Sequence, residues 1–278
     1  MLKIDAHQHF WKYEPVRDSW ITEDMSVLRN DFMPADLEPS LTHFGFDGCV
    51  VVQSDQSLVE NEFQLRNAAS CSFVKGVVGW VDLQADDVEA QLEALSAYQQ
   101  LKGFRHILQG EQDRALMLKP AFINGISKLN DFGFTYDLLV LPDQLGYAAE
   151  LADQFPDQPF VLNHMAKPEI KKGAIEEWQN DIEALAAMKN VYCKVSGLVT
   201  EADWTQWKPT DFKPYLDVVF KAFGVERLMY GSDWPVSLLA ATYGQFIAIM
   251  EGYVEGKLNE HEQALFWGGN ASKFYDLK

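Results

Sequence analysis

The sequence predicts a (β/α)8 barrel. Short apolar runs recur along the whole chain, helix-like stretches separate them, and several runs are apolar throughout rather than alternating. Continuous apolar strands are strands covered on both faces, and strands alternating with helices form a parallel sheet. The 278 residues suit one such domain, since these barrels take about 250 residues. One barrel domain over residues 1–278 is therefore expected. A doubly wound open sheet is the alternative. No Gly-x-Gly-x-x-Gly turn follows an early strand to support it.

The runs are Lys3–His7, Gly48–Gln53, Val74–Asp82, Leu101–Leu108, Phe134–Val140, Pro159–His164, Val191–Ser196 and Arg227–Ser232. Cys49-Val50-Val51-Val52 and Phe160-Val161-Leu162 are the clearest strands buried on both faces. Between them, Val88, Leu92, Leu95 and Tyr98 fall at helical spacing over Val88–Tyr98. Leu145–Phe155, Ile175–Met188 and Tyr215–Phe223 repeat that pattern. Pro34 suits a first helical turn, and Gly133 and Gly224 suit C-terminal caps. Two connections, Phe10–Phe32 and Leu198–Asp211, are long and rich in aromatics. Both leave C-terminal strand ends, where barrel enzymes keep their chemistry.

Composition narrows the partners. A formal charge of −18 argues against nucleic acid or anionic membrane as a partner, since both demand a basic face. Cys49, Cys71 and Cys193 are odd in number and widely spaced, so no disulfide framework is expected. No apolar stretch reaches the length of about 20 residues that crosses a bilayer. No charged-then-apolar leader is evident. A cytoplasmic protein acting on a small molecule is expected, and a homo-oligomer is compatible with the sequence.

Polar residues at the strand ends carry the functional signal. The first run ends in His7-Gln8-His9, the second in Gln53-Ser54-Asp55, the fourth in Arg105-His106, the sixth in Asn163-His164 and the eighth in Ser232-Asp233-Trp234. On a barrel these positions ring one opening, and packing gives no reason for them. His7 and His9, two apart on an extended strand, share a face. With His164 and Asp233 they offer three imidazoles and a carboxylate, a set suited to zinc or another borderline divalent ion. Asp233 is placed to take a proton from an attacking water, although Gly231-Ser-Asp-Trp-Pro235 is also turn-forming. Arg105 offers a fork of donors to a carboxylate, a lactone carbonyl or sugar hydroxyls. His106 reads as a substrate ligand or a core histidine, and Lys167 as a substrate contact or a solvated lysine. Gln53 and Trp234 complete the candidate substrate-binding set. No Gly-x-Ser-x-Gly elbow or P-loop is present.

These residues, with Asn163-His-Met-Ala-Lys-Pro168, Lys194-Val-Ser-Gly-Leu198 and Gly231-Ser-Asp-Trp-Pro-Val236, resemble the amidohydrolase superfamily. The resemblance runs from Asp5 to Asn270-Ala271. It is nearest to the amidohydrolase-related branch, which includes sugar lactonases such as L-fuconolactonase and L-rhamnonolactonase. It implies a TIM barrel of the metal-dependent hydrolase type, with Asp233 as general base. By the same resemblance His7, His9 and His164 are the strand histidines. Two departures stand out. The fifth strand offers Asp137 where many relatives bring a metal-binding histidine, and the fourth has no lysine or glutamate to bridge two metals. At most one divalent ion, zinc first, is expected, and lactonases of this branch that need no metal leave it dispensable. The expected activity is hydrolysis of a sugar-derived lactone, L-fucono- or L-rhamnono-lactone-like, to the aldonic acid, with catalytic roles for Asp233, His164 and Arg105. A metal-dependent decarboxylase of an aromatic or enoic acid and a silent sugar-acid-binding barrel are the alternatives.

Overall fold

Runs that are apolar on both faces become the strands of one parallel sheet. The computed structural model describes residues 1–278. Its strands are β1 (Ile4–Gln8), β2 (Gly48–Val52), β3 (Val74–Gly79) and β4 (Leu101–His106). They continue as β5 (Thr135–Leu138), β6 (Phe160–Leu162), β7 (Val191–Val195) and β8 (Leu228–Tyr230). Neighbours in sequence are neighbours in the sheet from β1 to β8, and all seven pairings are parallel.

The seam between β8 and β1 closes just beyond the strands. The Asp233 amide donates to the His7 carbonyl at 2.8 Å, and the His9 amide to the Trp234 carbonyl at 2.7 Å. Helices follow the strands: α1 (Pro34–His43), α2 (Leu58–Ser70), α3 (Val88–Leu95) and α4 (Pro120–Leu129). Then come α5 (Leu145–Gln154), α6 (Glu176–Ala186), α7 (Pro209–Phe223) and α8 (Tyr243–Val254). Two short helices, α9 (Glu260–Ala264) and α10 (Asn270–Phe274), end the chain. The expected (β/α)8 barrel is present, and the open doubly wound sheet is not.

Alternation along each strand divides the core in two. Cys49 and Val51 face the helices, within the large cluster that includes Leu37, Leu65 and Phe104. Val50 and Val52 face the other way, in a smaller cluster with Ile4, Ala6, Val78, Val161 and Met229. Ala271, Tyr275 and Leu277 of the C-terminal segment pack into that smaller cluster.

Several strands are shorter than the apolar runs. The sixth ends at Leu162 instead of His164, and the eighth at Tyr230 instead of Ser232. In both places the backbone leaves the strand to aim a polar side chain: His164 has φ 52° and Asp233 φ 57°. The helix expected over Tyr215–Phe223 begins earlier, at Pro209, where the Asp211 carboxylate accepts from the Lys208 amide. Helix α3 stops at Leu95, leaving Tyr98 half-exposed in the following turn. Pro34 opens α1, and Gly133 and Gly224 adopt φ of 72° and 71°. Cys49, Cys71 and Cys193 are free thiols. No helix is long and apolar enough to cross a membrane.

Candidate active site

One carboxylate oxygen organises the barrel mouth. Asp233 Oδ1 lies 3.4 Å from His9 Nε2, 3.8 Å from His164 Nε2 and 3.9 Å from His7 Nε2. Three strand ends supply these groups, and all four side chains are buried. Asp5, the second residue of β1, braces the arrangement from behind. Its Oδ1 accepts from the Ser232 amide at 2.9 Å and the His7 amide at 3.2 Å, and its Oδ2 accepts from the Tyr243 hydroxyl at 3.0 Å.

His164 reaches the site through an unusual turn. His164, Met165, Ala166 and Lys167 all have φ between 50° and 57°. A left-handed turn of non-glycine residues costs about 1–2 kcal/mol per residue, so the surrounding packing must hold it. Two glycines make the room. A Cβ on Gly197 would lie 2.7 Å from His164 Nδ1, and one on Gly231 would lie 2.6 Å from the His7 Cβ.

The hydrogen bonds fix which ring nitrogens face the centre. His9 Nδ1 donates to the Val52 carbonyl at 2.8 Å, so its Nε2 presents a lone pair. His164 Nδ1 bonds Ser196 Oγ at 2.8 Å and leaves Nε2 toward Asp233. His7 Nε2 is 3.3 Å from His9 Nε2, and His7 Nδ1 is buried without a partner. Nitrogen lone pairs meeting around one carboxylate oxygen are the donor set of a borderline divalent cation. The ligand atoms of His7, His164 and Asp233 lie within 4.8 Å of one another. His9 adjoins that set through Asp233.

Burial governs the charges. It holds His7, His9 and His164 below the usual imidazole range, His164 at about 3, with Lys194, His164, His9 and Arg105 adding to the effect on His7. Burial raises Asp233, but His164, His9 and Lys167 outweigh it and leave the carboxyl below its ordinary value. Burial brings Arg105 down to about 10, still a cation at neutral pH.

Arg105 spans the interior. Its Nη2 donates to the Gln53 carbonyl at 2.5 Å, and its Nη1 reaches His7 Nε2 and Asn163 Oδ1, both at 3.4 Å. Gln53 returns the contact by donating to the Arg105 carbonyl at 2.9 Å. His106 lies further out, paired with Glu111 at 2.8 Å and accepting from Trp80 Nε1 at 3.4 Å. Lys167 stands at the rim, 3.7 Å from Glu201. Trp234 is buried between Phe10 and Phe32, with ring centroids 6.2 and 5.3 Å away.

Asp5, Ser196, Lys194, Asp137, Glu111 and Glu201 escaped the sequence reading as site residues. Lys194 and Asp137 each interrupt an apolar run, and that interruption was their signal.

The amidohydrolase family profile matches residues 4–277. The chain is 37% identical over 286 residues to an L-fucono-1,5-lactonase of Burkholderia multivorans, covering 99% of this chain and 96% of that protein. It is 36% identical over 282 residues to an L-fucono-1,5-lactonase of Burkholderia ambifaria, with the same coverage of each chain. An amidohydrolase from Burkholderia multivorans, solved with bound zinc, superposes with a TM-score of 0.96 at 36% identity over 100% of both chains. With the histidine and aspartate cluster at the mouth of a parallel eight-stranded barrel, this full-length match shows that the chain belongs to the amidohydrolase family of hydrolases.

Proposed function

We propose that the protein opens a sugar-derived lactone to its aldonic acid, with Asp233 as general base. The observation that carries this reading is the set of three imidazole nitrogens, 3.4 to 3.9 Å from Asp233 Oδ1, beside the braced Arg105 guanidinium. The names of the Burkholderia relatives support an L-fucono-1,5-lactone-like substrate.

Water attacks the ring carbonyl carbon and gives its proton to the Asp233 carboxylate, which stays ionised at neutral pH because its neighbours outweigh burial. The carbonyl oxygen gains the electron pair, and the fixed Arg105 donors face that developing charge. The tetrahedral centre then collapses. The bond to the ring oxygen breaks, and that oxygen takes the proton back from Asp233 to become a hydroxyl. His106, Gln53, Lys167 and Trp234 form the substrate-binding side, with Lys167 at the rim.

His7, His164 and Asp233, with His9 beside them, would hold a single divalent ion, zinc being the best match to the donors. When bound, such an ion supplies Lewis acidity to a carbonyl oxygen. No second ion has ligands here, because the Asp137 carboxylate is occupied by Lys194.

A panel of aldonolactones assayed by acid release, with elemental analysis of the same preparation, tests this reading. Turnover of a six-membered deoxysugar lactone and no more than one equivalent of divalent metal are expected. Carbon dioxide release from an aromatic acid without lactone turnover would point to a decarboxylase instead.

A further inference from the structure

A fully buried charged network lies beneath the site, and the reaction as described does not use it. Lys194 of β7 and Asp137 of β5 are both 0% exposed, with Lys194 Nζ 2.6 Å from Asp137 Oδ2. The same oxygen accepts from Asn163 Nδ2 at 2.9 Å. The other oxygen, Oδ1, accepts from the Tyr275 hydroxyl at 2.7 Å. Lys194 Nζ also sits 5.2 Å from the centre of the Tyr275 ring.

The chemistry of these partners gives the network a direction. A carboxylate only accepts hydrogen bonds, so Asn163 must turn its NH2 toward Asp137. Its carbonyl oxygen then faces the other way, where it lies 3.4 Å from Arg105 Nη1. Were the amide flipped, two donors would meet at Arg105. Lys194 and the Tyr275 hydroxyl donate to the same carboxylate, so Asp137 meets donors from every partner. Arg105 has few other anchors inside the barrel. Its Nη2 rests on the Gln53 carbonyl, and its Nε is buried without a partner.

We infer that Asp137, paired with Lys194, is a positioning residue that sets Asn163 and through it fixes the Arg105 guanidinium toward the reacting centre. The chain of contacts runs Lys194, Asp137, Asn163, Arg105 and ends at His7. Tyr275 touches the same carboxylate from the C-terminal segment but on the oxygen that Asn163 does not use. It serves packing rather than alignment. The inference rests on the reading that Arg105 faces the substrate carbonyl, while the alignment of Arg105 itself can be seen without substrate.

Comparison of Asp137→Asn with Tyr275→Phe tests it. In Asp137→Asn the new amide can donate, Asn163 is free to flip, and Arg105 loses its acceptor. A crystal structure is expected to show the guanidinium displaced. kcat on a lactone that the wild type hydrolyses should fall by about tenfold or more, with KM changed by less than about threefold. Tyr275→Phe should lower Tm while leaving Arg105 in place and kcat within about threefold of wild type. If Asp137→Asn does not fold, Asn163→Ala removes the intermediary and should displace Arg105 in the same way. An unmoved guanidinium in whichever of these two variants folds overturns the inference. So does a Tyr275→Phe enzyme that loses as much kcat as Asp137→Asn. If the wild type turns over no lactone, the substrate reading fails, and the crystallographic comparison still decides the positioning role.

Discussion

Burial sets the protonation of the site. Imidazoles held below their usual range stay neutral at physiological pH, and neutral imidazoles are what a cation or a proton-accepting carboxylate needs around it. Close packing keeps them in register. Gly231 lets β8 pass against His7 with no room for a methyl group. Gly231→Ala should therefore move His7, cost about 2 kcal/mol of stability and reduce kcat by about tenfold. Thermal melts and steady-state kinetics check this, and a wild-type rate would contradict it. At this scale the sequence was informative where a polar side chain ended an apolar run. His7, His9, His164, Arg105 and Asp233 all met near one point for that reason. The pairing of Asp137 with Lys194 was opaque because it joins residues 57 apart in the chain. Only the neighbouring positions of β5, β6 and β7 in the sheet bring them together.

Elements place these residues through their ends rather than their middles. Strand β6 is three residues long, and the left-handed turn after it delivers His164 to the centre and Lys167 to the rim. The apolar run legibly marked the strand, but nothing in Asn163-His-Met-Ala-Lys-Pro168 signals four consecutive positive φ values. Tertiary packing, including the bond from Trp178 Nε1 to the Met165 carbonyl at 2.8 Å, holds that conformation. Helices α2, α4 and α8 were less legible than α5 or α6. Buried Glu60, Asn61 and Gln64 on the inner face of α2 blur its apolar stripe.

Between α7 and α8, Asp217 gathers Lys213 at 2.5 Å, Tyr253 at 2.9 Å and Lys257 at 3.1 Å. Burial raises this carboxyl, but the hydrogen bonds from Lys213, Lys257 and Tyr253 together outweigh it and bring it from 3.8 to about 2. A depressed carboxyl stabilises the fold above its unfolded pKa and loses that contribution as pH falls through the folded value. Asp217→Asn should thus melt below wild type at pH 7 by about 2 °C or less, because the side chain is partly exposed. The gap should close as pH falls from 3.8 toward about 2. A gap that persists there would assign the effect to packing instead of charge.

At the scale of the whole molecule, the barrel separates stability from chemistry. Helix-facing side chains form the large core, and the inner cluster with Tyr275 and Leu277 supports the interior beneath the polar strand ends. The sequence made this architecture legible because parallel strands buried on both faces leave long apolar runs that a water-facing sheet does not. The backbone contacts that close the predicted barrel were not legible. Closure depends on the seam in which the Asp233 and His9 amides donate to the His7 and Trp234 carbonyls, so one set of contacts both closes the fold and positions Asp233. The charge of −18 surrounds a mouth that still holds the Arg105 cation, an arrangement suited to a neutral lactone with a developing oxyanion. In the proposed reaction Asp233 takes the proton from water. Hydrolysis of L-fucono-1,5-lactone by the wild type and by Asp233→Asn, followed by acid release on folded protein, tests it most directly. The wild type should turn over, and the variant should lose about a thousandfold in kcat. An Asp233→Asn enzyme that keeps the wild-type rate would contradict the assignment.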